Sequence, residues 1–136
     1  MIVVDATVLI DLLGEGASKA AVAAVLDADP CWAVPLLWRS EVANALATRM
    51  RHGHLSVDEA LIRFEAVSRA VVGQEYPVPP DRVLRACAAS GCTAYDCEYV
   101  VLAESLGVPL VTDDRQVLKA FPGLALTPES FVKRGR

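Results

Sequence analysis

The chain has 136 residues, the length of one domain, and its 54% hydrophobic content exceeds what a disordered polymer carries. The longest stretch without a charge or histidine, Ala86 to Tyr95, is ten residues, well short of the ~20 needed to span a membrane. With 17 acidic against 13 basic residues and a net charge of −4, a general basic face for nucleic acid is excluded, although bound cations can invert the sign of a local acidic site.

In chain order the pattern alternates strand and helix. Met1 leads directly into Ile2-Val3-Val4, a β-branched run suited to a strand buried on both faces. No basic-then-apolar leader precedes it, so a cytoplasmic chain whose first residues belong to the fold is expected. Thr7 to Leu13 reads as a short helix stopped by Gly14 and Gly16, and Ser18 to Ala28 as an alanine-rich helix closed by Asp29-Pro30. Trp32 to Val34 is a second strand, ended by Pro35. Leu36 to Arg51 is a longer helix with Gly53 as its stop, and Ser56-Val57-Asp58-Glu59 is a capping box that opens the next helix, to Val72. The proline-rich connector from Gly73 to Pro80 has room for an edge strand at Tyr76 to Val78. Asp81 to Ser90 is helical up to Gly91, and Thr93 caps a helix reaching Leu106 before Gly107. Pro109 to Thr112 is a strand, Asp114 to Phe121 a helix, and Leu124 to Leu126 a last strand. The alternation predicts a single layered α/β domain over residues 1–136, built on a short, mostly parallel sheet, with residues 132–136 as a loose basic tail. The four cysteines form no CxxC pair and are expected to be reduced, partly buried thiols.

Ligands of open α/β sheets bind beyond the carboxyl ends of strands. Asp5 follows the first strand, and Asp113-Asp114 follows Leu110-Val111-Thr112; each position is equally that of a helix N-cap. Glu41 lies in an otherwise apolar helix and shares a narrow polar stripe with Asn44 and Thr48. Asp96 stands three residues after Thr93, where a capping acid would be, yet among Cys92, Ala94, Tyr95, Cys97 and Val100. Carboxylates gathered in such a scaffold repel one another unless protonated or neutralised, and hard divalent cations are the natural neutraliser for an all-oxygen set. Neither a phosphate-cradling glycine loop nor a GxSxG elbow is present. His52 and His54 sit at a helix exit, where facing water is the expectation. Glu15 and Asp11 read as ordinary surface charges.

The segments Met1 to Ile10, Ser40-Glu41-Val42-Ala43-Asn44-Ala45-Leu46, Thr93-Ala94-Tyr95-Asp96 and Leu110 to Arg115 together resemble the PIN-domain ribonucleases, in order and at the expected size, and most closely the VapC-type toxins of toxin–antitoxin pairs. The resemblance implies a three-layer α/β/α domain, Mg²⁺- or Mn²⁺-dependent cleavage of RNA, a homodimer and a cognate antitoxin. It carries Asp5, Glu41, Asp96 and Asp114 as catalytic and metal-site acids, with Asp113 as the alternative fourth, and Thr7, Asn44 and Thr112 as supporting residues. Two rivals stand beside it. A non-catalytic module of the same fold is one. The other is a haloacid-dehalogenase-like phosphatase, which needs an aspartate where Thr7 stands. Finally, Trp38, Leu46, Met50, Leu55, Leu61, Ile62, Phe64 and Val67 cannot all face a sheet from a helical hairpin. Some are expected to line a groove for an apolar antitoxin segment, whose arginine would reach the acids.

Overall fold

Ile2, Val3 and Val4 offer apolar side chains to both faces, and the strand they form, β1 (Ile2–Val4), is fully buried at the centre of a five-stranded sheet. The computed structural model describes residues 1–14 and 17–135; the helix stop expected at Gly16, the surface charge at Glu15 and the tail residue Arg136 lie outside them. After β1 come α1 (Ala6–Asp11), α2 (Ala17–Ala28), β2 (Trp32–Pro35), α3 (Trp38–Arg51), α4 (Val57–Ala70) and β3 (Glu75–Tyr76). The chain continues through α5 (Pro80–Ser90), α6 (Ala94–Leu106), β4 (Leu110–Val111), α7 (Arg115–Ala120), β5 (Ala125–Leu126) and α8 (Pro128–Arg134). The strand order is β3-β2-β1-β4-β5 and every pairing is parallel.

Alternation along β1 sorts the helices into two layers. Ile2 and Val4 point into a core with Val8, Val22, Val25, Trp38, Val42, Leu46 and Val67, contributed by α1 to α4. Val3 points the other way, into a core with Val83, Cys97, Val100, Val101 and Val117 from α5, α6 and α7. The architecture is α/β/α. Among the described residues no helix is long and apolar enough to cross a membrane, and all four cysteines are free thiols, Cys92 and Cys97 buried.

Local chemistry sets the boundaries. Ser56 and Glu59 complete the capping box of α4, and Gly91 and Gly107 end α5 and α6 in the left-handed conformation that glycine adopts without strain. Two expectations need correction. The edge strand lies at Glu75–Tyr76 instead of Tyr76–Val78: Gln74 and Tyr76 carbonyls accept from the amides of Val34 and Leu36, and Glu75 is anchored by Arg39 and Trp38. The basic tail is not loose up to Arg134. Thr127 caps α8 through the Ser130 amide, Pro128 occupies its first turn, and Phe131 and Val132 pack on the core.

The helical hairpin divides its apolar residues. Trp38, Leu46, Leu55 and Val67 are buried, and Phe64 is half-buried and stacked on Trp38 at 5.2 Å. Leu61 and Ile62 stay 63% and 68% exposed, with Met50 at the margin. Of the eight apolar residues that could not all face a sheet, four are core and three, Met50, Leu61 and Ile62, are exposed.

Candidate active site

The strand order reverses direction between β1 and β4, and such a switch point opens a crevice at the carboxyl ends of its strands. Asp5 leaves β1 there, and Thr112, Asp113 and Asp114 leave β4. Glu41 enters the same end because α3 follows β2. Asp96 does so because α6 must carry the chain back to the start of β4, so its own first turn lies at the carboxyl-end rim.

The hydroxyl of Thr112 organises the crevice. It is the one buried polar side chain among the described residues, donating to Asp5 Oδ2 and accepting from the Asp114 amide at 3.0 Å. Asp5 Oδ1 accepts from the Thr7 hydroxyl at 2.6 Å and from the Val8 amide at 3.1 Å. Asp5 and Asp114 are both helix N-caps, for α1 and α7, so the capping role expected of such positions is real. It occupies one oxygen of each carboxylate. Asp96 differs: the cap of α6 is the Thr93 hydroxyl, which bonds the Asp96 amide at 3.1 Å, so the helix does not need the Asp96 carboxylate for capping.

The acids act on one another. Burial raises the Asp5 carboxyl above its ordinary range against the hydroxyls of Thr112 and Thr7, and Asp113 raises it further. Burial likewise raises Glu41; the Tyr99 hydroxyl opposes this, while the charges of Asp5, Asp96 and Glu98 add to it. Asp96 is raised by burial and then by Asp114, with Thr93 opposing. One Coulombic network thus joins Asp5, Glu41, Asp96 and Asp114. Asp113 is exposed and is raised by burial of its carboxyl and by Glu129 and Asp11. Its own charge bears on Asp5, whereas that of Asp114 bears on Asp96. Asn44 is exposed one turn beyond Glu41, and only its carbonyl is engaged, by Thr48; no contact draws its side chain into the network. At position 7, where the phosphatase alternative requires a second aspartate, the hydroxyl bonds back to Asp5.

Sequence reasoning missed Tyr99. Its side chain is buried, and its hydroxyl donates to Glu41 Oε1 at 2.7 Å, across 58 residues. Burial and the Glu41 carboxylate hold its proton on. The signal was available: Tyr99 follows Asp96 by three residues, on the same side of α6, and a phenol in so apolar a helix needs a polar partner.

The donor set fits a hard cation. It is all oxygen, and none of the ion pairs among the described residues, Met1–Asp29, Arg39–Glu75, Arg69–Glu65 and Arg82–Glu104, involves it. Among the described residues no three His, Cys, Asp or Glu side chains are gathered tightly enough to clasp an ion directly. Binding through one or two carboxylates, with the remaining positions filled by water, is the mode that Mg²⁺ ordinarily uses.

Residues 2–123 match the PIN domain family, a span that includes all of the acids above. The chain is 37% identical to Ribonuclease VapC3 of Pyrobaculum aerophilum over 91 residues, covering 65% of this chain and 69% of that protein. It is 34% identical to Ribonuclease VapC1 of Mycobacterium tuberculosis over 128 residues, covering 90% and 91%. The crystal structure of PAE2754 from Pyrobaculum aerophilum superposes with a TM-score of 0.78 at 30% identity, over 98% of this chain and 95% of that one. A toxin–antitoxin complex from Klebsiella pneumoniae shares the fold, with a TM-score of 0.62 at 18% identity over 94% and 98%. Family match, near full-length relatives and fold agree: the chain belongs to the PIN-domain family.

Proposed function

We propose that the protein is a Mg²⁺- or Mn²⁺-dependent endoribonuclease and the toxin of a toxin–antitoxin pair. The observation that carries this reading is the network of acids at the switch point, none of them in an ion pair among the described residues, with the Thr112 hydroxyl bonded to Asp5. The relatives named as ribonucleases support the substrate class.

Asp5 and Asp96 would hold the cation, with Asp114 and Glu41 holding its waters or a second ion. When bound, the cation would supply charge neutralisation at the scissile phosphate and a water acidic enough to give hydroxide near neutral pH. Glu41, whose carboxyl sits above the ordinary range, takes the nucleophile's proton. The Thr7 and Thr112 hydroxyls fix the Asp5 carboxylate in one orientation, and the buried Tyr99 hydroxyl does the same for Glu41. Most of the acceleration comes from such preorganised positioning. Of the two adjacent aspartates, Asp114 is the better fourth acid, because it presses on Asp96 and receives the Thr112 contact through its amide.

The same reading makes residues 1–136 one domain working in the cytoplasm as a homodimer, with a cognate antitoxin laid over the exposed apolar residues of the hairpin. Leu61 and Ile62 supply the apolar contact, and an arginine of the antitoxin would reach the acids. The decisive experiment is RNA cleavage with EDTA, Mg²⁺ or Mn²⁺, comparing the wild type with Asp5→Asn. Metal-dependent cleavage lost in the variant is expected; a wild type inert with both metals would end the reading in favour of a non-catalytic module. Light scattering at micromolar concentration tests the dimer, which a strictly monomeric protein would refute. Ile62→Asp should release the antitoxin while leaving cleavage intact.

A further inference from the structure

A polar groove of about 360 Å³ opens beside the acid network, lined by Asp11 of α1, Ser18 of α2, Arg49 of α3, His54 and Leu55 in the α3–α4 turn, and Arg63 of α4. Arg49 and Arg63 come from the two helices of the hairpin, and both are half-buried. Among the described residues neither has a carboxylate at ion-pair distance. Among the described residues Asp11 is the groove's acid and feels the charge of Arg49, while Arg63 acts on Glu59, one turn back on α4, and neither contact closes to an ion pair. Like charges on one concave surface repel, and an anion between them removes that cost. A guanidinium fork matches two phosphate oxygens at once, which a lysine ammonium does not.

The groove also lies in the right place. Asp5 caps the start of α1 and Asp11 ends it, six residues later, which at 1.5 Å per residue separates them by about 9 Å. Along α3, Glu41 and Arg49 are eight residues apart, about 12 Å at the same rise, so the groove lies within a nucleotide or two of the acids. An acidic centre repels a polyanion until cations load it; a strand needs a second, cationic foothold nearby.

We propose that Arg49 and Arg63 form a phosphate subsite that grips the RNA backbone beside the scissile bond, with His54 at its rim. This rests on the reading of RNA as substrate, and the two are separable by experiment. The probe is a labelled single-stranded RNA decamer with hydrolysis-resistant phosphorothioate linkages, titrated by fluorescence anisotropy in Mg²⁺ across a salt series. Arg49→Gln and Arg63→Gln should each weaken binding about 10-fold and lower the salt slope by about 1. Arg49→Lys should recover part of the affinity through charge alone. Arg82→Gln, a surface change paired with Glu104 elsewhere, should change neither quantity, and circular dichroism checks that each variant folds. Unchanged decamer binding in the double variant overturns the subsite and leaves the groove to a protein partner, as does an equal loss in Arg82→Gln or a wild type that does not bind. Cleavage supplies the separation. A wild type that binds through the arginines yet never cleaves refutes the nuclease and keeps the subsite. A double variant that binds and cleaves like the wild type refutes only the subsite.

Discussion

The two rims of the sheet carry acids in opposite circumstances. At the amino-end rim, Asp29 is satisfied: the amino terminus of Met1 donates to one of its oxygens at 2.7 Å and the Cys31 amide to the other at 2.9 Å. At the carboxyl-end rim, Asp5, Glu41, Asp96 and Asp114 face one another with no cation at ion-pair distance among the described residues. Cavity size points the wrong way. A groove of about 680 Å³, larger than the one between Arg49 and Arg63, lies at the amino-end rim between Ala24, Pro109, Phe131 and Arg134. Uncompensated charge, not concavity, distinguishes the rim on which the proposed function rests.

The largest effect should come from removing charge at the carboxyl-end rim. Asp5→Asn and Asp96→Asn should each lower RNA cleavage by at least about 100-fold. Both should fold, since Asn caps α1 as well as Asp and α6 is capped by Thr93, and both should melt at a higher temperature than the wild type in EDTA because repulsion is relieved. Lost cleavage with a lowered metal-free melting temperature would mean that these acids are structural, and the contrast between the rims would fail.

Thr112→Val tests whether the hydroxyl binds the crevice together. It removes the donor to Asp5 and the acceptor of the Asp114 amide, costing about 1–3 kcal/mol of stability and about 10–100-fold in metal affinity or cleavage. Thr112→Ser should recover most of both. Tyr99→Phe is milder, about 0.5–1.5 kcal/mol in denaturant titration. It deletes the bond that opposes the rise of Glu41, so the acidic limb of the cleavage profile should move to higher pH. A profile that stays fixed would remove Glu41 from the proton path.

The pH dependence of stability separates the rims further. Asp5, Glu41 and Asp96 titrate above the ordinary carboxylate range in the folded chain, so the folded state holds more protons than the unfolded one between the ordinary values, near ~4, and the raised ones. Stability therefore falls as pH rises through that window. Melting curves in EDTA should show the decline, and saturating Mg²⁺ should flatten it. The smallest effect belongs to the amino-end rim: Asp29→Asn should cost at most about 1 kcal/mol, as a partly exposed ion pair does, and leave cleavage unchanged.

Much of this was legible in the sequence because local chemistry decided it. β-branched runs gave the strands, the Ser56 box and the Thr93 cap gave helix starts, and the acids after β1 and β4 followed from position alone. Tyr99 escaped because its partner is 58 residues away and lies on another helix. The edge strand slipped because Glu75, a poor strand residue by propensity, is held there by the Arg39 fork and the Trp38 indole. Helix α8 was overlooked although Thr127-Pro128 announces it; its basic last turn drew attention away from Phe131, which anchors it in the core. Which hairpin residues face out was also beyond reach, since helical spacing alone does not say where a neighbouring helix lies.

The bond from Thr112 to Asp5 spans 107 residues, and this has a consequence for how the protein is made. Residue 5 leaves the ribosome early, yet its carboxylate has no site to belong to until β4 has been synthesised and has paired beside β1. A nascent chain halted before Thr112 lacks the hydroxyl that orients Asp5 and the segment that carries Asp114, although Tyr99 and Glu41 already join α6 to α3. The set of four acids is complete only once β4 has been made and has paired beside β1.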